Sequence, residues 1–188
     1  MTQSPLLNSG TLPSGVRSRH VDNGNGLEMH ILEAGSESGK PPCVVLLHGF
    51  PELGYSWRKI MAPIAAAGYY VVAPDQRGYG ATKGWTATYD GELESFRMTN
   101  LVKDVIGLLS ALDYNEAVVV GHDFGSPVAA SCALMRPDVF RGVSLMSAPA
   151  TGNTQLSDPS KQSQAGAPDI HKALAALDAP RKHYQWYY

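Results

Sequence analysis

Gly121-His122-Asp123-Phe124-Gly125 holds the residues best placed for chemistry. The segment follows an apolar β-branched run, Ala117 to Val120, and precedes a helical pattern, Val128 to Met135. A small residue on either side of a reactive one, between strand and helix, makes a nucleophile elbow. The central side chain is lifted above the sheet beside the helix N-terminus. Here that residue is Asp123. A carboxylate has a reference pKa of about 3.9, so it is ionised at neutral pH without a base. It can attack an electrophilic sp³ carbon and form an ester. Water must then cleave that ester, and this second step does need a base. Capping of the following helix is the competing role for Asp123. Glycine on both sides and the strand before it favour the elbow.

A second segment, His48-Gly49-Phe50-Pro51-Glu52, directly follows the run Cys43 to Leu47. Sites in open α/β sheets form beyond the carboxyl ends of the strands, so this loop is expected on the same rim as Asp123. The backbone N–H groups of Phe50 and Phe124 are then candidates for an oxyanion hole. Phe50-Pro51 is a candidate cis bond, since proline is the residue at which cis is cheap. His48 is read as structural rather than as a base. A third segment, Asp75-Gln76-Arg77-Gly78-Tyr79-Gly80, follows the run Tyr69 to Ala73. It has two glycines of a dinucleotide loop but lacks the third and a helix start. It is read as a structural loop in which Asp75 and Arg77 anchor neighbours.

These loops need a scaffold. Val16 to Val21 and Leu27 to Leu32 flank Asn23-Gly24-Asn25-Gly26 and predict a hairpin. The runs at Cys43, Tyr69, Ala117 and Val143 to Met146 suit strands buried on both faces of a parallel sheet. Helices are expected over Ser56 to Ala67, closed by Gly68, and from a cap at Thr99 or Asn100 through Leu101, Val105, Leu108, Leu109 and Leu112. Strand, strand, then strand and helix in alternation is the pattern of an α/β domain. After Pro149 the composition turns to Ser, Gln, Gly, Asp and Pro, which reads as a linker. A short helix follows at Ile170 to Leu177. The expected division is residues 1–149 as the N-terminal part of a core and 150–188 as linker and the beginning of a second, helical element. The aromatic end, Tyr184-Gln185-Trp186-Tyr187-Tyr188, reads as an element cut in the middle.

Composition narrows the function. The chain has 188 residues, 44% of them hydrophobic, enough to bury a core. Its 15 Lys and Arg against 17 Asp and Glu give a net charge of −2, which argues against a nucleic-acid or anionic-membrane binder. No apolar run approaches the roughly 20 residues of a membrane span, and the first residues lack the pattern of a signal peptide. A cytoplasmic location is expected from those absences. Cys43 and Cys132 are read as reduced, buried thiols, and no motif implies a metal or organic cofactor.

Taken in order, the three loops resemble the α/β-hydrolase fold, and specifically its epoxide hydrolase family, from about Arg17 onward. The resemblance implies that Asp123 attacks an epoxide carbon. It implies an oxyanion hole from the Phe50 and Phe124 amides, and a small-molecule epoxide as substrate. Tyr184, in Tyr184-Gln185, is similar to one of the family's cap tyrosines, which hydrogen-bond the ring oxygen. Phe124 stands where Trp often follows the nucleophile. The family's base His lies beyond the cap, and neither His171 nor His183 matches that position. The second cap tyrosine, the partner acid and the last core strands have no counterpart either. The resemblance therefore implies a chain that can be alkylated but turns over poorly, with the Val143 strand as an open edge. Two alternatives stand beside it. A dehalogenase would use the same attack on a carbon–halogen bond, but Phe50 and Phe124 occupy the places of its halide-holding groups. A non-catalytic remnant would keep the fold and bind small molecules reversibly.

Overall fold

The structure is a computed structural model that describes residues 9–35, 39–86, 88, 91, 93–147, 170–178 and 180. The expected hairpin is β1 (Arg17–Asp22) and β2 (Glu28–Ala34), paired antiparallel from Arg17 opposite Glu33 to Asp22 opposite Glu28. The Asn23 side-chain oxygen closes the turn by accepting from the Asn25 and Leu27 amides. Gly24 and Gly26 take positive φ angles of 67° and 81°, a conformation that other residues resist.

Then follow β3 (Cys43–Leu47), a 3-10 turn at Gly54–Trp57 running into α1 (Arg58–Ala66), β4 (Tyr70–Pro74), α2 (Met98–Ala111), β5 (Ala117–His122), α3 (Gly125–Met135), β6 (Phe140–Met146) and α4 (Ile170–Ala175). The sheet order is β1-β2-β4-β3-β5-β6. The last four strands are mutually parallel, and β2 joins them antiparallel through β4. Every residue of β3 and β4 is buried, because helices cover both faces there.

One core lies between the sheet and α2 with α3. It includes Met29, Ile31, Val45, Leu47, Val72, Val105, Leu108, Leu109, Val119, Val128 and Cys132. The other lies under α1, with Leu32, Val44, Leu46, Trp57, Met61 and Val71. The alternation along each strand assigns its side chains to these two layers. At β5 and β6 the α1 layer gives out: Val118 and Met146 are exposed. Among the described residues β6 has a strand neighbour on one side only.

Some expected boundaries move. The expected cap of α2 at Thr99 or Asn100 is not found. The helix begins at Met98, its N-cap position is Arg97, and no side chain caps it. Asn100 lies within the first turn, where its amide donates to the Glu94 carbonyl. Gly68 does follow α1 with φ 91°, and its amide closes on Ala65. Strand β6 begins at Phe140 rather than Val143, α3 at Gly125 rather than Val128, and α4 ends at Ala175. The aromatic end and the polar stretch after Pro149 lie outside the described residues, apart from α4 and its flank.

Candidate active site

The elbow forms between β5 and α3. Asp123 takes φ 50°, a left-handed conformation rare for a residue with a side chain. The flanking glycines contribute room rather than unusual angles. A Cβ on Gly121 would collide with the Gly125 carbonyl, and one on Gly125 with the Leu47 carbonyl. The turn is held from both sides. The Asp123 amide donates to the Met146 carbonyl at 2.9 Å. The buried Ser126 hydroxyl reaches the Gly121 and Met146 carbonyls at 2.8 and 2.9 Å, and accepts from the Met146 amide at 3.2 Å.

Residues 48–52 lie across from it, as the shared rim requires. The Phe50 amide donates to Asp123 Oδ1 at 2.9 Å. Gly49 has no space for a side chain because the Asp123 carboxylate lies against it. The Phe50 amide, with help from the Phe124 amide and nearby His122, outweighs desolvation and holds the Asp123 carboxyl below its ordinary pKa. The Phe50-Pro51 bond is cis. The Glu52 amide donates back to the Gly49 carbonyl at 3.0 Å, which fixes the loop as a tight turn.

His48 is fully buried and cannot reach Asp123 as a base. Its Nδ1–H donates to the Gly49 carbonyl at 2.8 Å, and its Nε2 accepts from the Gln76 amide at 3.0 Å. With one nitrogen donating and the other accepting, the ring is neutral, and burial lowers its pKa further. Gln76 completes the link by donating to the His48 carbonyl at 2.6 Å.

Asp75 and Arg77 anchor the next loop, as expected. Asp75 accepts from the Gly54 amide at 2.9 Å, from the Ala81 amide at 3.0 Å and from His30 Nδ1 at 2.8 Å. Burial opposes its charge, but these bonds hold its carboxyl below the usual range. Arg77 makes two bonds to the Asp104 carboxylate of α2, at 2.8 and 2.7 Å. Asp104 also accepts from the side chains of Asn23 and Asn25, so the hairpin turn, the 75–80 loop and α2 share one anion.

The sequence reading missed one pair on the rim. His122 Nδ1 and Glu52 Oε2 lie 3.2 Å apart, each about one-third exposed, immediately beside Asp123. Both residues belong to the motifs already singled out, but they are 70 positions apart and only the register of β3 against β5 brings them together. The Trp57 ring stands edge-on to His122, with centroids 6.5 Å apart. Its buried Nε1–H has no hydrogen-bond partner among the described residues. Tyr184, the expected proton donor, lies outside the described residues, as does His183. Cys43 and Cys132 are buried and unpaired, and desolvation pushes both thiols up to about 12, where they are inert. Among the described residues no helix is long and apolar enough to cross a membrane.

An Asp at a strand–helix elbow, facing a backbone donor on the loop after the neighbouring strand β3 in a sheet of this order, places the molecule in a known class. The chain belongs to the alpha/beta hydrolase fold family, whose family model matches residues 42–176. Its relatives within that family include an epoxide hydrolase from Caballeronia sordidicola, 44% identical over 66% of this chain and 35% of the relative. Epoxide hydrolase B from Mycobacterium tuberculosis is 39% identical over 88% of this chain and 45% of its own length. Among solved structures, an epoxide hydrolase from an endophytic Streptomyces superposes with a TM-score of 0.63 at 43% identity. That match covers 73% of this chain and 38% of the other. Epoxide hydrolase A from Mycobacterium thermoresistibile gives 0.64 at 40% identity, over 71% of this chain and 40% of the other. The chain thus spans less than half the length of the relatives it matches.

Proposed function

We propose that this chain carries the nucleophile half of an epoxide hydrolase. Asp123 attacks an epoxide carbon. The bond from carboxylate oxygen to carbon forms as the ring C–O bond breaks, and the alkoxide takes a proton from a phenol, for which Tyr184 is the candidate. The observation that carries the reading is the bond from the Phe50 amide to Asp123 Oδ1. It leaves Oδ2 as the attacking oxygen. Oδ1 then becomes the ester carbonyl oxygen, already held where charge develops when water attacks. An ionised carboxylate needs no base for the first step, in keeping with an Asp pKa set below its ordinary value. Names of relatives such as those from C. sordidicola and M. tuberculosis support an epoxide as the electrophile.

The second step needs a base. His48 is excluded by its two hydrogen bonds and burial. The Glu52–His122 pair is the carboxylate–imidazole couple nearest the ester, and it is able to hold and polarise a water molecule. Being one-third exposed and hydrogen-bonded loosely, it supports slow hydrolysis of the ester rather than rapid turnover.

Intact-mass measurement after incubation with a reactive aryl epoxide tests both steps. The expected result is an adduct of one epoxide mass that accumulates on the chain and is absent in Asp123→Asn. An adduct that forms equally in Asp123→Asn would sink the assignment. Diol release at a steady rate without adduct would keep the nucleophile but overturn the slow second step.

A further inference from the structure

At the far end of the sheet, three side chains from separate segments form a second array that the epoxide chemistry does not use. Ser18 Oγ on β1 lies 2.8 Å from His30 Nε2 on β2, and His30 Nδ1 lies 2.8 Å from Asp75 Oδ2 in the loop after β4. The proton positions follow from the partners. An ionised Asp75 only accepts, so His30 Nδ1 carries hydrogen toward it. In the tautomer whose single proton sits on Nδ1, Nε2 is an acceptor and the Ser18 hydroxyl donates to it. A serine hydroxyl on an imidazole held in its tautomer by a buried carboxylate is the arrangement that activates a serine nucleophile.

The three members differ in exposure in the way such chemistry requires. His30 and Asp75 are buried, and Asp75 is fixed further by the Gly54 and Ala81 amides. Ser18 is partly exposed, and its side chain lies on the face of β1 that carries His20, opposite the face of Arg17 and Arg19. The array is remote from Asp123. Four strand spacings separate β1 from β5, roughly 19 Å at the usual interstrand distance.

We propose that Ser18 is a second, independent nucleophile of this chain, activated by His30 and Asp75, for small activated phosphoryl or acyl esters. With a dialkyl fluorophosphate the balance is simple. A bond forms from Ser18 Oγ to phosphorus and the P–F bond breaks. The hydroxyl proton passes to His30 Nε2 and leaves with fluoride as hydrogen fluoride. The product is a phosphorylated Ser18 and a neutral His30.

Diisopropyl fluorophosphate is the probe, with the adduct located by peptide mass mapping. The native 188-residue chain is expected to gain one phosphoryl group on Ser18, and the same chain in concentrated urea to gain none there. His30→Gln is expected to slow labelling at least about 100-fold, the usual worth of a positioned base. Asp123→Asn is expected to label at the native rate, which separates this site from the epoxide reading. Ser18→Ala, on a partly exposed strand position, is expected to abolish the adduct while circular dichroism stays native. No adduct at Ser18 in the native chain overturns the proposal. So does labelling of Ser18 at equal rates in native and urea-treated chains, or an undiminished rate in a folded His30→Gln variant.

Discussion

The two halves of the rim are built on different principles. On the β2–β4 side, the 75–80 loop is fastened by buried charge. Asp75 gathers two amides and an imidazole, and Arg77 meets Asp104 with both side chains nearly excluded from water. On the β5–β6 side, Asp123 stands partly exposed at φ 50°, its turn fastened by the Ser126 hydroxyl and by backbone bonds, one of them to Met146 at the end of β6. By its hydrogen bonding the first half counts as the rigid one: among the described residues each buried side-chain polar group of the 75–80 loop has a partner. The second carries an unfavourable backbone conformation, worth about 1–3 kcal/mol of strain in general, and must be held in place by its neighbours. Asp123 sits on the strained half, while its hydrogen-bond donor Phe50 comes from a loop tied to the 75–80 loop through His48 and Gln76.

The largest separation between the halves should come from breaking the buried ion pair. Asp104→Ala leaves the Arg77 guanidinium and two Asn side chains without their anion. Removing one member of a buried pair typically costs about 3–5 kcal/mol. Urea unfolding should show the midpoint falling with the slope unchanged. A loss under about 1 kcal/mol would mean that water or another anion replaces Asp104, and the rigid half would be less rigid than its hydrogen bonds imply.

Ser126→Ala probes the other half. It removes a buried hydroxyl that links the Gly121 and Met146 carbonyls and receives the Met146 amide. The expected cost is about 1–3 kcal/mol, the range for leaving buried backbone groups unanswered. Its effect on alkylation by an epoxide should exceed its effect on stability, because it loosens the turn that presents Asp123. If alkylation is unchanged while stability falls, the elbow is held by the glycine contacts alone.

Much of this organisation was legible in the sequence, and the parts that were not share a cause. Strand cores showed as apolar runs, and the hairpin as Asn-Gly-Asn-Gly, because local conformation and burial set those signals. The elbow showed because its glycines answer to local crowding. What stayed hidden depends on register between distant strands. Glu52 meets His122 across 70 positions, and Asp104 meets Asn23 across 81. Asp104 reads in sequence as one more polar residue of a helix, yet it lies on the buried face among Leu101, Val105 and Leu108. The α2 cap misled for a related reason. Asn100 is a good capping residue, but the preceding 3-10 turn, Glu94–Phe96, gives its side-chain amide a carbonyl to bond, and the helix starts earlier.

The smallest stability effect is expected at β6, which among the described residues has a strand neighbour on one side only. Val143 on β6 is 44% exposed, although its register partner on β5, Val119, is buried. An edge strand with apolar side chains and unpaired backbone groups invites pairing between chains, and a lysine on such a strand opposes it. Val143→Lys should change folding stability by no more than about 0.5 kcal/mol, as for other exposed positions. It should raise the concentration at which light scattering appears on standing at 25 °C. The alkylation rate should be unaffected, since Val143 lies three residues before Met146, the β6 residue that holds the elbow. A stability loss well above that figure would show that the β5–β6 face is packed more tightly than its exposure implies. An unchanged scattering threshold would place the association surface elsewhere, with the exposed Leu134 and Met135 at the end of α3 the next to substitute.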